Sequence, residues 1–393
     1  MRTVSLQQIC DIQIGKTPSR SVPEYWGGEL PWVTISDFAA GRVVTTTKER
    51  ITRIGAVKSG SKRIPRGTLL LSFKLSLGKR AFSGCDLFTN EAIAALHVLD
   101  RNVVDRDYLY WALGSIDYDR LVDRAAKGKT LNKAKLRLLK VPLPSLAEQK
   151  RIAGILESAD ILLAKRRESI GKLDTLLQST FLEMFGDPVR SGWTMVTVEA
   201  VASSQSGAIR TGPFGSQLLH SEFVDEGICV LGIDNAVANE FRAGEPRFIT
   251  RQKYDQLRRY TVRPGDVLIT IMGTCGRCAV VPDGLPTAIN TKHLCCVTLD
   301  HGRCLPEFMH AYFLEHPIAR RYLERSAKGA IMSGLNMRII KALPIPAAPL
   351  ELQRRFASIV LSVEQKKTSQ RAHLAELDTL FASLQSRAFR GDL

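Results

Sequence analysis

The chain is written twice, and this duplication limits its possible folds more than any other feature. Leu173-Asp174-Thr175-Leu176 recurs as Leu377-Asp378-Thr379-Leu380, 204 positions on. Pro142-Leu143-Pro144 returns as Pro344-Ile345-Pro346 at 202, and Lys127-Gly128 as Lys328-Gly329 at 201. Gly67-Thr68-Leu69-Leu70-Leu71-Ser72 matches Gly265-Asp266-Val267-Leu268-Ile269-Thr270 at 198. Gly78-Lys79-Arg80-Ala81 matches Gly276-Arg277-Cys278-Ala279 at the same offset. Both halves close alike, on Phe185-Gly186-Asp187 and Arg390-Gly391-Asp392. The drift in offset needs only a few loop insertions. Solenoid repeats have periods of roughly 20–50 residues, so this is one domain-plus-helix unit used twice. The 393 residues then divide into two domains of ordinary size.

Each unit has the same internal order. Short β-like runs come first, at residues 68–73, 93–99, 267–272 and 294–299, set off by Gly and Pro. A helical stretch follows, at 107–126 and 307–327. A Pro-x-Pro step then breaks the chain, because proline lacks the N–H and restricts its predecessor. Last comes a long helix. In the first copy, apolar residues fall at Ile152, Ile155, Leu156, Ala159, Leu162, Leu163, Ile170, Leu173, Leu176, Leu177, Phe181, Met184 and Phe185. The second copy shows Leu352, Phe356, Ile359, Val360, Val363, Leu374, Leu377, Leu380, Phe381 and Leu384. Spacings of three and four make one apolar stripe on each helix.

From Glu148 to Phe185 the rise amounts to about 57 Å. Such a stripe cannot be buried along one small domain, and its natural partner is its own duplicate. The stripes alone leave open whether the pair is parallel or antiparallel. Lys165-Arg166-Arg167 and Lys366-Lys367 interrupt the stripes and read as a solvated face, the alternative being docking to protein or phosphate. The expected organisation is mixed α/β domains at 1–145 and 188–347, with helices at 146–187 and 348–393.

Lys plus Arg is 55 and Asp plus Glu 39, a net charge of +16 at a sequence pI near 9.6. The surplus points to a polyanion, of which nucleic acid is the commonest. It recurs in corresponding regions and not in a tail. Residues 48–80 hold ten basic side chains against Glu49, and residues 124–151 hold nine against Glu148. The second copy has a cluster from Arg242 to Arg263 and another from Arg320 to Lys341. Two basic domains related by duplication imply two half-sites on one duplex. No apolar run approaches the roughly 18 residues of a membrane span, and the start lacks a signal-peptide core. The expectation is a cytoplasmic protein with no membrane role, whose eight cysteines are reduced thiols.

Each familiar catalytic pattern is incomplete in this sequence. Gly128-Lys129-Thr130 and Gly15-Lys16-Thr17 resemble the end of a P-loop, but the glycine required five positions earlier is Asp123 or Cys10. There is no Asn-Pro-Pro-aromatic or Asp-Pro-Pro-aromatic run to hold an exocyclic amine, and no glycine-rich loop for S-adenosylmethionine. Pro282-Asp283 with Glu364-Gln365-Lys366 can be forced into a nuclease pattern only by ignoring a turn and a helix stripe. Cys275, Cys278, Cys295, Cys296 and Cys304 approach zinc-ligand spacing. However, the first copy has Leu77, Arg80, Ala95 and Leu96 at the first four of those positions. The expectation is no catalytic residue and no metal in this chain, the cysteines being small buried residues, and His293 and His301 surface or satisfied core.

Several motifs together resemble one family. Gly15-Lys16-Thr17-Pro18-Ser19, then Tyr25-Trp26-Gly27-Gly28 and Pro31-Trp32-Val33-Thr34-Ile35-Ser36-Asp37, are similar to the opening of a target-recognition domain in Type I restriction–modification specificity subunits. Gly212-Pro213-Phe214-Gly215-Ser216 with Gly232-Ile233-Asp234 looks like a variant of that opening. Pro142-Leu143-Pro144-Ser145-Leu146-Ala147-Glu148-Gln149-Lys150-Arg151 resembles the family's spacer-helix signature, from which Glu351-Leu352-Gln353-Arg354-Arg355 departs. The resemblance implies two tandem α/β target-recognition domains held apart by two long antiparallel helices in a coiled coil, with pseudo-twofold symmetry. It implies a non-catalytic subunit that binds a bipartite double-stranded DNA target and directs two methyltransferase and two restriction subunits to it. S-adenosylmethionine, ATP and magnesium would belong to those partners, which methylate adenine N6, and the helix length would act as a ruler between half-sites.

Phosphate contacts position a protein on DNA, while base edges specify the sequence. The candidate DNA-binding residues in the first copy are Lys16, Thr17, Arg20, Lys74, Lys79, Arg80, Lys127, Lys129, Asn132 and Lys133. In the second they are Arg210, Ser216, Gln217, Arg277, Asn290, Lys292, Lys328, Asn336 and Arg338. Each has a plainer alternative as solvated surface or a local turn bond. Trp26, Trp32 and Phe214 are expected to pack beneath the loops. The rival readings are an autonomous DNA methyltransferase or nuclease, and an RNA-binding scaffold, since positive charge alone does not choose between nucleic acids.

Overall fold

The structure is a computed structural model describing residues 2–121, 131–328 and 334–393. It divides into two compact units, Met1–Arg167 with Ala372–Leu393, and Glu168–Arg371. Each of the two long helices, Leu146–Phe185 and Leu350–Arg390, therefore gives part of its length to each unit.

The first unit is built on a five-stranded sheet in the order Cys10–Ile14, Ile93–Val98, Leu69–Ser72, Arg80–Ser83, Val43–Val44. Neighbours are antiparallel except the last pair, which is parallel. Leu69 and Leu71 enter one core with Tyr108, Trp111, Leu136 and Ile152. Leu70, on the opposite face, enters another with Val33, Phe38 and Ile64. Burial on both faces is why this strand is continuously apolar instead of alternating. A second sheet joins Glu49–Ile51, Trp26–Val33 and Phe88–Thr89.

The second unit repeats the central sheet as Ile209–Thr211, Leu294–Val297, Val267–Thr270, Cys278–Val280. The register repeats too: Leu69 faces Leu96 and Leu70 faces Ala95, as Val267 faces Val297 and Leu268 faces Cys296, so Cys295 and Cys296 occupy the places of Ala94 and Ala95, one position from the sequence alignment. A five-stranded sheet beside it contains a parallel pair, Ile228–Leu231 with Ala288–Asn290, matching the parallel pairing of Trp26–Val33 with Phe88–Thr89.

The Pro-x-Pro step meets a strand in both copies: the first strand, Lys140–Pro142, ends on its first proline, whereas the second, Pro344–Pro346, is the whole step. Thr3–Ser5 pairs with Lys140–Pro142, and Met195–Thr197 with Pro344–Pro346. Two-stranded pairs leave an edge where a missing N–H goes unnoticed. Tyr108 and Tyr312 donate to the carbonyls of Pro142 and Pro344 at 2.7 and 2.6 Å. Just beyond, the Ser145 hydroxyl accepts the Glu148 N–H at 3.3 Å and starts the first long helix.

Within the first unit, Arg151 donates to the Leu393 carbonyl at 2.6 Å and Arg167 pairs with Asp378 at 2.8 Å. Residue numbers rise along one helix as they fall along the other, so the segments are antiparallel. Within the second unit, Asp174 meets Lys367 at 2.7 Å, while Phe181 and Phe185 meet Phe356. That pairing is antiparallel as well.

Three sequence expectations change. The helix expected at 107–126 is Arg106–Gly114, followed after a non-helical step at 115–117 by a short 3₁₀ turn at Tyr118–Leu121; residues 122–126 lie outside those described. The helix expected at 307–327 is two, Pro306–Glu315 and Pro317–Lys328, because Pro317 has no N–H to continue the ladder. The His316 ring fills the break, its Nδ1 accepting the Ile318 N–H at 3.1 Å and its Nε2 facing the Phe185 carbonyl at 3.2 Å. Finally, Lys367 is not on a solvated face. It is 5% exposed, and its ammonium is held by Asp174 and Glu364.

Candidate nucleic-acid interface

The most closely repeated surface feature is the hairpin joining the third and fourth strands of each central sheet. In the first unit the Ser72 N–H donates to the Lys79 carbonyl at 2.8 Å, and the Gly78 N–H to the Ser72 carbonyl at 3.0 Å. In the second, Thr270 donates to Arg277 at 2.9 Å and Gly276 to Thr270 at 2.9 Å. Buried Ser72 and Thr270 accept the Lys79 and Arg277 N–H groups on their hydroxyls at 3.0 and 2.9 Å. Lys79 and Arg277 thus leave equivalent, rigidly held turns with their side chains exposed. Lys74 lies at the same tip as Lys79, its ammonium 5.6 Å from the Phe73 ring centroid.

The opening loop is organised by tryptophans. Trp32 is buried and donates its indole N–H to the Lys16 carbonyl at 3.1 Å. Trp26 meets it edge-on at 4.9 Å and donates to the Ser19 carbonyl at 3.1 Å. Arg20 stacks over Trp26 at 3.8 Å and pairs with Glu49, and Thr17 bonds Glu91. Gly15 runs so close to the carbonyls of Thr89 and Asn90 that a Cβ would overlap them, and Gly212 stands in the same relation to Asn290. Both loops are therefore tied to the end of a parallel strand. Lys16 is exposed at the loop surface, as are Ser216 and Gln217 in the second copy. Gln217 accepts the Tyr260 hydroxyl at 2.8 Å. Phe214, expected beneath its loop, is 47% exposed.

Three candidates face inward. Arg210 donates to Asp266 at 2.8 Å, to Thr298 at 2.9 Å and to the Thr261 carbonyl, with the two side chains of the ion pair 10% and 1% exposed. Asp266 also accepts Thr298 at 2.6 Å and the Arg263 N–H at 2.9 Å, so this pair is a closed polar hub. Arg80 lies against Tyr110 and Trp111, 4.5 and 5.9 Å from their centroids. Burial pulls its guanidinium below the usual value, with Tyr110 and Tyr118 opposing. Asn290 is fully buried and donates to the Leu294 carbonyl at 2.9 Å. Sequence pattern could not distinguish Arg210 from a surface cation, because its partners Thr261, Asp266 and Thr298 lie 51, 56 and 88 positions away.

Asn132 and Asn336 are helix caps, accepting the Lys135 and Ile339 N–H groups at 2.8 and 3.0 Å. Lys133 and Arg338, exposed one and two positions later, are carried on those short helices. Lys292 is exposed after the Ala288–Asn290 strand. Lys127 and Lys129 lie outside the described residues, and Lys328 ends a helix. Among the described residues, Lys16, Lys79, Lys133, Arg277, Lys292 and Arg338 are exposed cations without an ion-pair partner. They can donate to phosphate oxygens in any sequence.

The cysteines sit in packing positions. Cys295 and Cys296 are consecutive strand residues, so one enters each core on opposite faces of the sheet. Burial pushes the Cys295 and Cys304 thiols up to about 12, far from the thiolate form that metal binding needs. No cluster of three or more His, Cys, Asp or Glu poised for a metal occurs among the described residues, and none of their helices is long and apolar enough to cross a membrane.

Residues 1–172 match a family model described as the Type I restriction modification DNA specificity domain. The MjaIX specificity subunit of Methanocaldococcus jannaschii is 30% identical over 185 residues, 46% of this chain and 41% of that one. The EcoBI specificity subunit of Escherichia coli is 24% identical over 301 residues, 67% and 60% of the two chains. The chain thus spans between two fifths and three fifths of the first curated relatives it matches. The crystal structure of an S subunit from M. genitalium shares the fold with a TM-score of 0.59 at 16% identity, covering 99% of this chain and 96% of that one. A chain from a structure of a type I R-M system aligns with a TM-score of 0.60 at 19% identity, covering 100% and 98%.

Proposed function

We propose that this chain is the DNA-recognition subunit of a Type I restriction–modification system, a reading supported by the match of residues 1–172 to the Type I restriction modification DNA specificity domain. One observation carries the reading: the same hairpin tip, held by the same hydrogen bonds, presents Lys79 in one unit and Arg277 in the other. A surface that binds nothing has no reason to be kept in duplicate with its cation. Two such tips on one chain suit a bipartite duplex target, one half-site for each unit.

In this reading the chain holds no catalytic residue. Two methyltransferase subunits would carry S-adenosylmethionine and methylate adenine N6 after extruding it from the stack, and two restriction subunits would use ATP and magnesium. The complex would work in the cytoplasm. Lys16, Lys79, Lys133, Arg277, Lys292 and Arg338 are the cations that would meet phosphate. In this reading Arg80, Arg210 and Asn290 are left out of the contact set, since Arg210 and Asn290 bond within their own unit and Arg80 lies against Tyr110.

Mapping N6-methyladenine across the genome with and without the gene tests the proposal. A bipartite motif that is methylated only when the gene is present is the expected result. An unchanged methylation map would sink it. Competition at fixed salt between duplex DNA and RNA addresses the rival scaffold reading, which requires RNA to win.

A further inference from the structure

The hairpin tip of the first unit carries a feature that folding alone does not account for. Leu75 has φ +65° and is 74% exposed. Its Cβ in the left-handed region crowds the backbone, a conformation costly for any residue but glycine, Asn or Asp. Among the described residues the only other non-glycine at positive φ is Asn239, a residue that tolerates it. The aligned position in the second unit is Gly273, at φ +70°, so the turn itself asks for glycine. Leucine at this point strains the turn and is mostly uncovered.

Its surroundings name the class of molecule that would cover it. Lys74 and Lys79 flank it on the same seven-residue tip, and Ser72 clamps the tip from below, donating to the Ser76 carbonyl while accepting the Lys79 N–H. A rigid apolar point between two cations suits a surface with phosphates on both sides of an apolar stack. The second unit offers part of this combination, with the apolar residue shifted by one and a single cation: Met272, 41% exposed, precedes Gly273, and Arg277 closes the turn. An apolar partner protein would not call for cations on both sides of the point.

We infer that Leu75, with Met272 as its counterpart, is an apolar wedge that enters the base stack of duplex DNA while the neighbouring cations hold the flanking phosphates. Leucine and methionine are among the side chains that unstack base steps in this way. A wedge next to the recognised bases would also ease extrusion of a target base by a partner. The inference rests on the DNA-recognition reading and goes further by assigning a distortion to one residue.

The test uses the complex isolated through a tag on this chain and duplexes selected from a randomised library. 2-Aminopurine is placed in turn at each position of the selected half-sites. Leu75→Gly, which matches the second unit, is expected to hold or raise the melting temperature of the first unit. It should lose the fluorescence rise at one step of one half-site and weaken specific binding about tenfold, with the salt dependence unchanged. Leu75→Met should keep the signal. Leu75→Gly retaining both the fluorescence rise and the affinity would overturn the wedge, and so would loss of a partner subunit from the complex with DNA binding intact. A wild-type complex that selects no duplex refutes the recognition reading itself, an outcome distinct from either.

Discussion

Arg210 and Arg277 are both basic residues next to short strands, yet the fold gives them opposite surroundings. Asp266→Ala would leave the Arg210 guanidinium buried without its carboxylate, at a cost of about 3–5 kcal/mol, read as an earlier denaturant transition of the second unit. Arg277→Ala, on an exposed turn, should change stability by less than about 0.5 kcal/mol while lowering the salt slope of DNA binding by about 1. Two histidines of the second unit make a further prediction. His310 Nε2 faces the carbonyls of Asn239 and Cys278 at 2.9 and 3.0 Å, and burial holds both His310 and His316 below the usual imidazole value. Glu315 and Glu364 partly offset this for His310, whereas Arg321 reinforces it for His316. A lowered folded pKa means that the unfolded chain binds the proton first. Stability contributed by the neutral rings is therefore complete above about pH 6.5 and falls as the pH drops below it. Urea midpoints at pH 7.5 and 5 should differ less in the His310→Gln, His316→Gln double variant than in the wild type. Equal differences would show that these rings do not carry the dependence.

At the level of elements, the start of each long helix depends on one glutamine. Gln149 accepts the Asp105 N–H at 2.9 Å and donates to the carbonyls of Val103 and Pro144 at 2.9 and 3.0 Å. Gln353 does the same with Leu305, Arg303 and Ala348, at 2.8, 3.1 and 2.8 Å. Both are essentially fully buried. Gln149→Leu should cost about 1–3 kcal/mol for each backbone group left unpaired, measured as a loss in the first unit's transition, with the second unit unaffected. Both glutamines are legible in the sequence, since Glu351-Leu352-Gln353 keeps the residue that matters at offset 204. What was not legible is that the carboxamide ties the long helix to the loop before Arg106–Gly114 in one unit and before Pro306–Glu315 in the other. The same limit applies to Lys367, whose place in the seam depends on Asp174, a residue of the other long helix. A periodic stripe marks which positions face a partner and is silent on which polar residue is met there.

For the whole molecule, the duplication makes the sharpest functional prediction. Replacing residues 1–145 with another recognition domain should change one half of the methylated motif and leave the other intact; a change in both halves would refute independent reading by the two units. That there are two such units followed from the sequence alone, because a 198–205-residue repeat cannot be produced by chance spacing of short motifs. The apolar runs, the Pro-x-Pro breaks and the helix stripes were equally local, set by periodicity and by the missing proline N–H. Which loop cations face out was decided only by tertiary structure. Arg80, Arg210 and Arg277 are the same residue type beside similar strands, but Arg80 is covered by Tyr110 and Arg210 is held by Asp266 and Thr298, all brought near only by tertiary packing, whereas Arg277 stays exposed. The antiparallel sense of the helical segments belonged to the same class, since a stripe has no direction until its partner is placed. Leu75 stands between the two: its glycine counterpart was visible in the repeat, but only the backbone, folded, shows a leucine held at positive φ in the open.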